Sequence, residues 1–158
     1  MDAVSVSRIS LLHPVLRVNA MQMYEEITKA LSARAICRIT HTLRTIEEQD
    51  ALYAQGRTKP GKKVTNAKGG QSYHNYGMAF DICLIVDGKT ASWDMEEDFD
   101  KDHEADWMEV VHIAKKHGWE WGGEWPKFKD APHFQKTYGY TTTKLKTMVK
   151  GSGYPAPI

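Results

Sequence analysis

Polar and apolar positions recur along this chain with two different periods, and the switches between them mark its elements. From Val15 to Arg34, Leu16, Ala20, Met23, Ile27 and Leu31 return every three to four residues, which predicts a helix with one apolar stripe. Ala35 to Thr42 is short, partly β-branched and strand-like. Thr45 to Gln55 reads as a second helix, with Thr45 as N-cap, Glu48 at capping-box spacing and Gly56 as its stop. Residues 57–71 hold Pro60, Gly61, Gly69 and Gly70, a loop long enough to be functional rather than connective. Met78 to Val86 is the strongest strand, closed by the turn signal Asp87-Gly88. Glu104 to His117 is a helix with Trp107, Val110, Val111 and Ala114 on one stripe and Gly118 as its stop. Trp119 to Trp125 is aromatic and glycine-rich, and Lys129 to Gln135 is a last strand entered through Pro132. From Thr141 the chain is polar, with room for a short helix, and GSGYPAPI reads as a frayed end. Helices and strands do not alternate regularly. The pattern therefore favours an α+β fold, a small mostly antiparallel sheet packed with helices, over a doubly wound one.

At 158 residues the chain is the size of one domain with a sizeable core. Lys plus Arg number 21 and Asp plus Glu 20, so net charge points to neither nucleic acid nor membrane. The charge is uneven: Arg57 to Lys68 carries five basic residues and no acid, and Asp94 to Asp106 carries eight acids and one Lys. Both stretches read first as solvated loops. Cys37 and Cys83 form no CxxC pair and read as buried thiols in strands. The apolar run Ile9, Leu11, Leu12 is broken by Ser10 and followed by His13-Pro14, which suits neither a signal peptide nor a membrane span. The expectation is a protein that stays in the cytoplasm of the producing cell unless another factor releases it.

One stretch, SYHNYGMAFDIC (Ser72 to Cys83), sets a chemical problem. It opens the greasiest strand with an Asp, and an ionised carboxylate in an apolar strand is costly unless something meets its charge. With period two, Met78, Phe80, Ile82, Leu84 and Val86 share one face, and Asp81 shares the other with Ala79, Cys83 and Ile85. The small Ala79 and Cys83 leave room there, and Gly77 lets the backbone fold His74 back toward Asp81. A catalytic zinc site takes three protein ligands and keeps an open position. His74 and Asp81 would make two. His13, His41, His103, His112 and His117 read as structural or surface residues. His133 differs: it lies in KDAPHFQ, with Asp130 three residues before it, the arrangement of a ligand beside a general base. Spacing alone leaves a metal site and a satisfied His–Asp pair equally open.

Ser72-x-His74-x-x-Gly77-x-Ala79-x-Asp81 resembles the SxHxxGxAxD signature of the zinc peptidases related to VanY carboxypeptidases and L-alanyl-D-glutamate endolysins. LRTIEEQDALYAQGRT (Leu43 to Thr58), WGGEWPKFKDAPHFQ (Trp121 to Gln135) and the early LHPVLR are similar to further motifs of that family, in its order, from about residue 11 to 135. The resemblance implies a zinc site on the sheet face of a hedgehog-like peptidase fold, with His74, Asp81 and His133 as zinc ligands. It implies Asp130 as general base, Arg44 as the group that steadies the oxyanion, and Gln49 and Ser72 as polar groups of the substrate pocket. The plainer readings are that Gln49 is exposed helix surface and Ser72 a turn residue holding His74. The implied activity is cleavage of the L-Ala–D-Glu bond of the peptidoglycan stem peptide by a monomeric phage or prophage endolysin, acting on the wall after release. The alternatives are a D-Ala–D-Ala carboxypeptidase or dipeptidase on the same scaffold, or a non-catalytic zinc or wall-binding domain. Residues 1–140 would be the catalytic domain and 141–158 a polar tail, with no separate wall-binding domain. One motif stands apart: Asp98, Asp100, Asp102, Glu104, Asp106 and Glu109 fall at positions 1, 3, 5, 7, 9 and 12 of an EF-hand-like loop. Position 6 calls for Gly and holds His103, and acids are favoured before any helix, so calcium is not the preferred reading.

Overall fold

The computed structural model describes residues 1–31, 34–151 and 153–158. Among them, one antiparallel sheet is built from β1 (Ala35–His41), β2 (Ala79–Val86), β3 (Thr90–Ser92), β4 (Glu120–Trp121) and β5 (His133–Gln135). The order is β1-β2-β5-β4, with β3 paired to β2. The helices are α1 (Ala3–Ile9), α2 (Arg17–Ala30), α3 (Ile46–Ala54), α4 (Asp106–Lys116) and α5 (Thr142–Met148). This is the α+β arrangement that the pattern predicts. No helix of the described residues is long and apolar enough to cross a membrane.

The period-two reading of β2 explains its packing. Phe80, Ile82 and Leu84 are wholly buried and join Cys37 and Ile39 of β1 in one apolar cluster with Ala20, Met23 and Ile27 of α2 and Trp107, Val110 and Ala114 of α4. The antiparallel register Cys37↔Leu84 and Ile39↔Ile82 keeps these side chains on one face. Phe80 stacks on Phe134 of β5 (centroids 4.9 Å apart), which aligns β5 along β2. The opposite face carries Ala79, Asp81 and Cys83. Both cysteines are free and buried, as expected.

Some elements differ from the sequence pattern, each for a physical reason. The stripe beginning at Val15 opens as a 3-10 turn, Pro14–Leu16, before α2, and Leu31 is already extended; residues 32–33 of the expected helix lie outside the described residues. Helix α1 has a β-branched, serine-rich sequence with no clear stripe, and it forms because β1 needs it. Ile39 N–H donates to Ser5 Oγ at 2.8 Å and Ile39 O accepts from Arg8 Nη1 at 2.9 Å, so α1 covers the backbone of an edge strand. Helix α4 begins at Asp106 rather than Glu104, and the last strand shrinks to His133–Gln135 because a turn closes at Asp130, whose carbonyl accepts from His133 N–H. The C-terminal segment is not frayed. Leu145 is fully buried, Tyr154 Oη donates to Leu11 O at 2.8 Å, and His13 Nε2–H donates to Pro155 O at 2.7 Å.

Asp2 ties α1 to the sheet. It caps α1 by accepting from Ser5 N–H and accepts from Arg38 Nε and Nη2 at 3.0 and 2.9 Å. The Arg38 guanidinium beside it, against the opposing effect of burial, holds the Asp2 carboxyl down to about 2. A carboxyl depressed by folding stabilises above its unfolded value of about 4 and loses that contribution as pH falls through its folded one. Asp2→Asn keeps a capping side chain and removes the charge. We expect it to cost ~2 kcal/mol at pH 7, with the gap to wild type closing towards about pH 2, read by urea unfolding at each pH.

Candidate active site

The strand register assembles the first half of the site. Asp81 lies opposite His133 of β5 and, on its other side, opposite His41 of β1. Continued from Ile39↔Ile82, a regular β1 would set Thr40 against Asp81; the bulge between Ile39 and His41 brings His41 there instead. His74 arrives by a different route. Residues Tyr73–Tyr76 form a 3-10 turn in which Ser72 Oγ accepts from His74 N–H at 3.2 Å and Asn75 completes a capping box. Gly77 ends the turn at φ 68°, and a Cβ there would sit 2.6 Å from the backbone nitrogen of His13. Only glycine permits both the turn and that approach.

Hydrogen bonds decide which nitrogen of each imidazole is free. His74 Nδ1 lies 2.7 Å from Thr42 O; a carbonyl only accepts, so Nδ1 carries the proton and Nε2 offers its lone pair, 3.1 Å from Asp81 Oδ1. Gln135 Nε2 donates to Glu120 Oε2 at 3.0 Å, which turns Gln135 Oε1 toward His133 Nε2 at 2.8 Å. His133 therefore donates through Nε2–H, and its Nδ1 lone pair faces the same Asp81 oxygen at 3.2 Å. Two nitrogen lone pairs and a carboxylate oxygen thus converge within 4.8 Å of one another. Such acceptors repel unless a proton or a cation sits among them. Neutral imidazoles oriented by outer hydrogen bonds, together with one carboxylate, are the donor set of a divalent metal, and the three residues fit one. Burial would push the Asp81 carboxyl up; a proton shared with the His133 and His74 rings, or a cation in its place, holds it well below the usual carboxylate range.

Arg44 and Asp130 border this cluster from two loops. Arg44 N–H donates to His74 O and Asn75 Nδ2 donates to Arg44 O, both at 3.0 Å, so this backbone is locked to the His74 turn. Its Nη1 donates to Gln49 Oε1 at 3.0 Å, and its Nη2 lies 3.9 Å from Asp81 Oδ2. Asp130 N–H donates to Gly122 O at 3.0 Å, and a Cβ on Gly122 would come 2.4 Å from Asp130 O. Burial pushes the Asp130 carboxyl up against the pull of the nearby His133, and the charge of Asp81 adds to the rise. Arg44, Ser72, His74, Asp81, Asp130 and His133 all line one cleft of about 540 Å³.

Gln49 departs from its expected place. It is fully buried, and its Nε2 donates to Ala67 O at 2.9 Å while its oxygen holds Arg44, so it is neither exposed helix surface nor a cleft wall. It positions the arginine. Ser72 lines the cleft and also does what the plainer reading assigned to it, holding the His74 turn. His41, Trp125 and Gln135 also line the cleft and Glu120 holds Gln135, and sequence reasoning missed all four. Gln135 was findable, since it lies two residues past His133 on a strand and so shares its face. His41 was read as structural or surface, and only the bulge brings it to the cleft; the acceptor for His74 is the Thr42 carbonyl, which no side chain signals.

Residues 65–136 match a family described as D-alanyl-D-alanine carboxypeptidase, within peptidase family M15. The chain is 47% identical over 125 residues to the peptidoglycan L-alanyl-D-glutamate endopeptidase CwlK of Bacillus subtilis, covering 78% of this chain and 72% of that protein. It is 36% identical over 105 residues to the L-alanyl-D-glutamate peptidase of a Listeria phage, covering 66% of this chain and 32% of that protein. Among solved structures, the L-Ala D-Glu endopeptidase ChiX of Serratia marcescens superposes with a TM-score of 0.56 at 23% identity, over 87% of this chain and 90% of that one. At that identity the likeness speaks for the fold.

The Glu120–Gln135–His133 relay makes a specific prediction. Gln135→Leu removes the acceptor that sets the His133 tautomer while leaving all three candidate ligands in place. Metal affinity should fall about 10- to 100-fold, measured by competition with a chromophoric chelator, with the far-UV circular dichroism unchanged.

Proposed function

The chain belongs to peptidase family M15, and from that membership we propose that it cuts the L-Ala–D-Glu bond of the peptidoglycan stem peptide. It is a metallopeptidase that hydrolyses peptidoglycan. The observation that carries this reading is the convergence of the His74 and His133 lone pairs on Asp81, in a cleft that Arg44 and Asp130 share. Two imidazoles and one carboxylate suit zinc, and we assign it as the metal. When bound, zinc supplies Lewis acidity toward a water and the scissile carbonyl.

The chain's own residues do the rest. Asp130, whose carboxyl burial raises toward a useful range, accepts the proton of the attacking water and returns it to the leaving amine. Arg44, fixed by Gln49 and by the His74 turn, presents its guanidinium to the developing oxyanion without reorganising. Ser72 keeps His74 in register. The basic segment from Arg57 to Lys68 contributes Thr65 and Val64 to the cleft wall and Lys59 to an adjoining hollow beside Arg44, where an acidic stem peptide would be met by positive charge. We assign residues 1–140 as the catalytic domain and 141–158 as a tail packed on it. We read the protein as a monomeric endolysin of phage or prophage type, made in the cytoplasm and acting at the wall after release. The carboxypeptidase description attached to residues 65–136 makes D-Ala release the second reading.

Digestion of purified peptidoglycan separates these readings, with products identified by mass spectrometry. Zinc-loaded wild type should leave L-Ala C-termini and peptides that begin with D-Glu, and chelation should abolish them. Asp130→Ala should lower the rate by about 10²- to 10⁴-fold and Arg44→Ala by about 10²- to 10³-fold. Release of D-Ala alone would replace the endopeptidase with the carboxypeptidase. Intact wall after treatment with metal-loaded protein would overturn both.

A further inference from the structure

The acidic segment between β3 and α4 is absorbed by neither the core nor the cleft. Its sequence fits an EF-hand-like loop except for His103 at the sixth position, where a glycine normally makes the sharp turn. The structure removes that objection: His103 adopts φ 78°, the left-handed turn that position requires. Asp98, at position 1, accepts through Oδ1 from Asp102 N–H at 3.2 Å and through Oδ2 from His103 N–H at 2.9 Å, which folds the loop over its own first carboxylate. Carboxylate oxygens of Asp98, Asp100 and Asp106 lie within 4.8 Å of one another, and so do those of Asp100, Asp102 and Glu109. The two groups share Asp100.

The independent sign of a ligand comes from the helix side. Asp106 is wholly buried; its Oδ1 accepts from Phe99 N–H at 3.0 Å, but its Oδ2 has no hydrogen-bond partner among the described residues. Glu109, one turn along α4, is 8% exposed, and its Oε2 is likewise buried without a partner. Buried carboxylate oxygens are met by donors or by a cation in nearly all folded proteins. No amino or guanidinium group meets these two oxygens among the described hydrogen bonds and ion pairs. Glu104, at position 7, faces His112 Nδ1 with its carboxylate, which suits a position that serves through its backbone carbonyl.

We propose that this loop is a calcium site, with Asp98, Asp100, Asp102, Asp106 and Glu109 as carboxylate ligands and Glu104 as the carbonyl ligand. Calcium takes about six to eight oxygens, and this all-oxygen set suits it as the His-Asp-His cluster does not. The loop has no helix before it, only β3 and a turn, so it is half of an EF-hand grafted onto a sheet. Its ion would fasten the first turn of α4, which carries Trp107 and Val110 into the core. Helix α4 leads through Gly118 to β4, where Glu120 orients Gln135 and, through it, His133. Calcium at one end of α4 would thereby steady the outer support of the cleft at the other.

The test is calorimetric titration of the zinc-loaded protein with calcium chloride and with magnesium chloride, paired with thermal unfolding. We expect one calcium per chain and a rise in midpoint of roughly 5 °C or more at a hundredfold excess over Kd. Magnesium should bind at least tenfold more weakly. Glu109→Gln and Asp98→Asn should each weaken calcium at least tenfold, while His74→Ala, at the other cluster, keeps it. If Glu109→Gln fails to fold, Asp98→Asn, in the half-buried part of the loop, carries the comparison. Absence of calcium heat and shift in wild type, binding that survives both loop variants, or binding lost in His74→Ala instead would each overturn the assignment.

Discussion

An ionised carboxylate in the middle of a central strand has to be answered by its neighbours, and Asp81 dictates what those neighbours are. On one side the β2–β5 register delivers His133; on the other a bulge in β1 delivers His41. From above, a capped turn closed by Gly77 delivers His74. Outer hydrogen bonds aim the lone pairs of both imidazoles at the Asp81 oxygen, so its charge is tolerable only with a proton or a cation among the three. Removing the carboxylate would leave the register, the bulge and the turn with nothing to organise.

The two faces of β2 divide the work. Phe80, Ile82 and Leu84 bind the sheet to α2 and α4 and make the strand immobile. Asp81 inherits that rigidity on the other face, so the ligand cluster rests on packed secondary structure rather than on loops. Arg44 and Asp130 do come from loops, and each is held by a second layer. Gln49, fully buried, fixes the guanidinium, and Gly122 receives the backbone of Asp130 at a distance no other residue allows. Charged groups held this way keep their place at the cleft with little rearrangement.

Much of this was legible because the informative signals are local. The period of β2, the glycine before it and the seven-residue spacing of His74 and Asp81 encode a turn and a face without reference to the rest of the chain. Thr45 capping α3 is of the same kind, and its Oγ accepts from Glu48 N–H as the spacing suggests. What failed was non-local. Gln49 looks like helix surface because α3 has no apolar stripe, yet loop 57–71 folds over it. The tail looks frayed because it is polar and ends in GSGYPAPI, yet Tyr154 and Pro155 find acceptor and donor partners at Leu11 and His13, more than 140 residues away. His103 looked disqualifying in the acidic loop because that position calls for glycine, yet its N–H donates to the Asp98 carboxylate in a left-handed turn.

The amino-acid sequence alone determined the α+β class, the strand that carries the carboxylate, and, through its resemblance to a peptidase family, the residues to look for. Those are matters of periodicity and of short motifs, in which each residue constrains others only a few positions away. Tertiary structure alone decided which nitrogen of His74 and of His133 is free, that a bulge brings His41 to the cleft, and that Gln49 is buried against Arg44. It also decided that two carboxylate oxygens at the start of α4 are buried without hydrogen-bond partners among the described residues. Each of these depends on a hydrogen bond or an exclusion of water between segments far apart in the chain, and neither is written in local spacing.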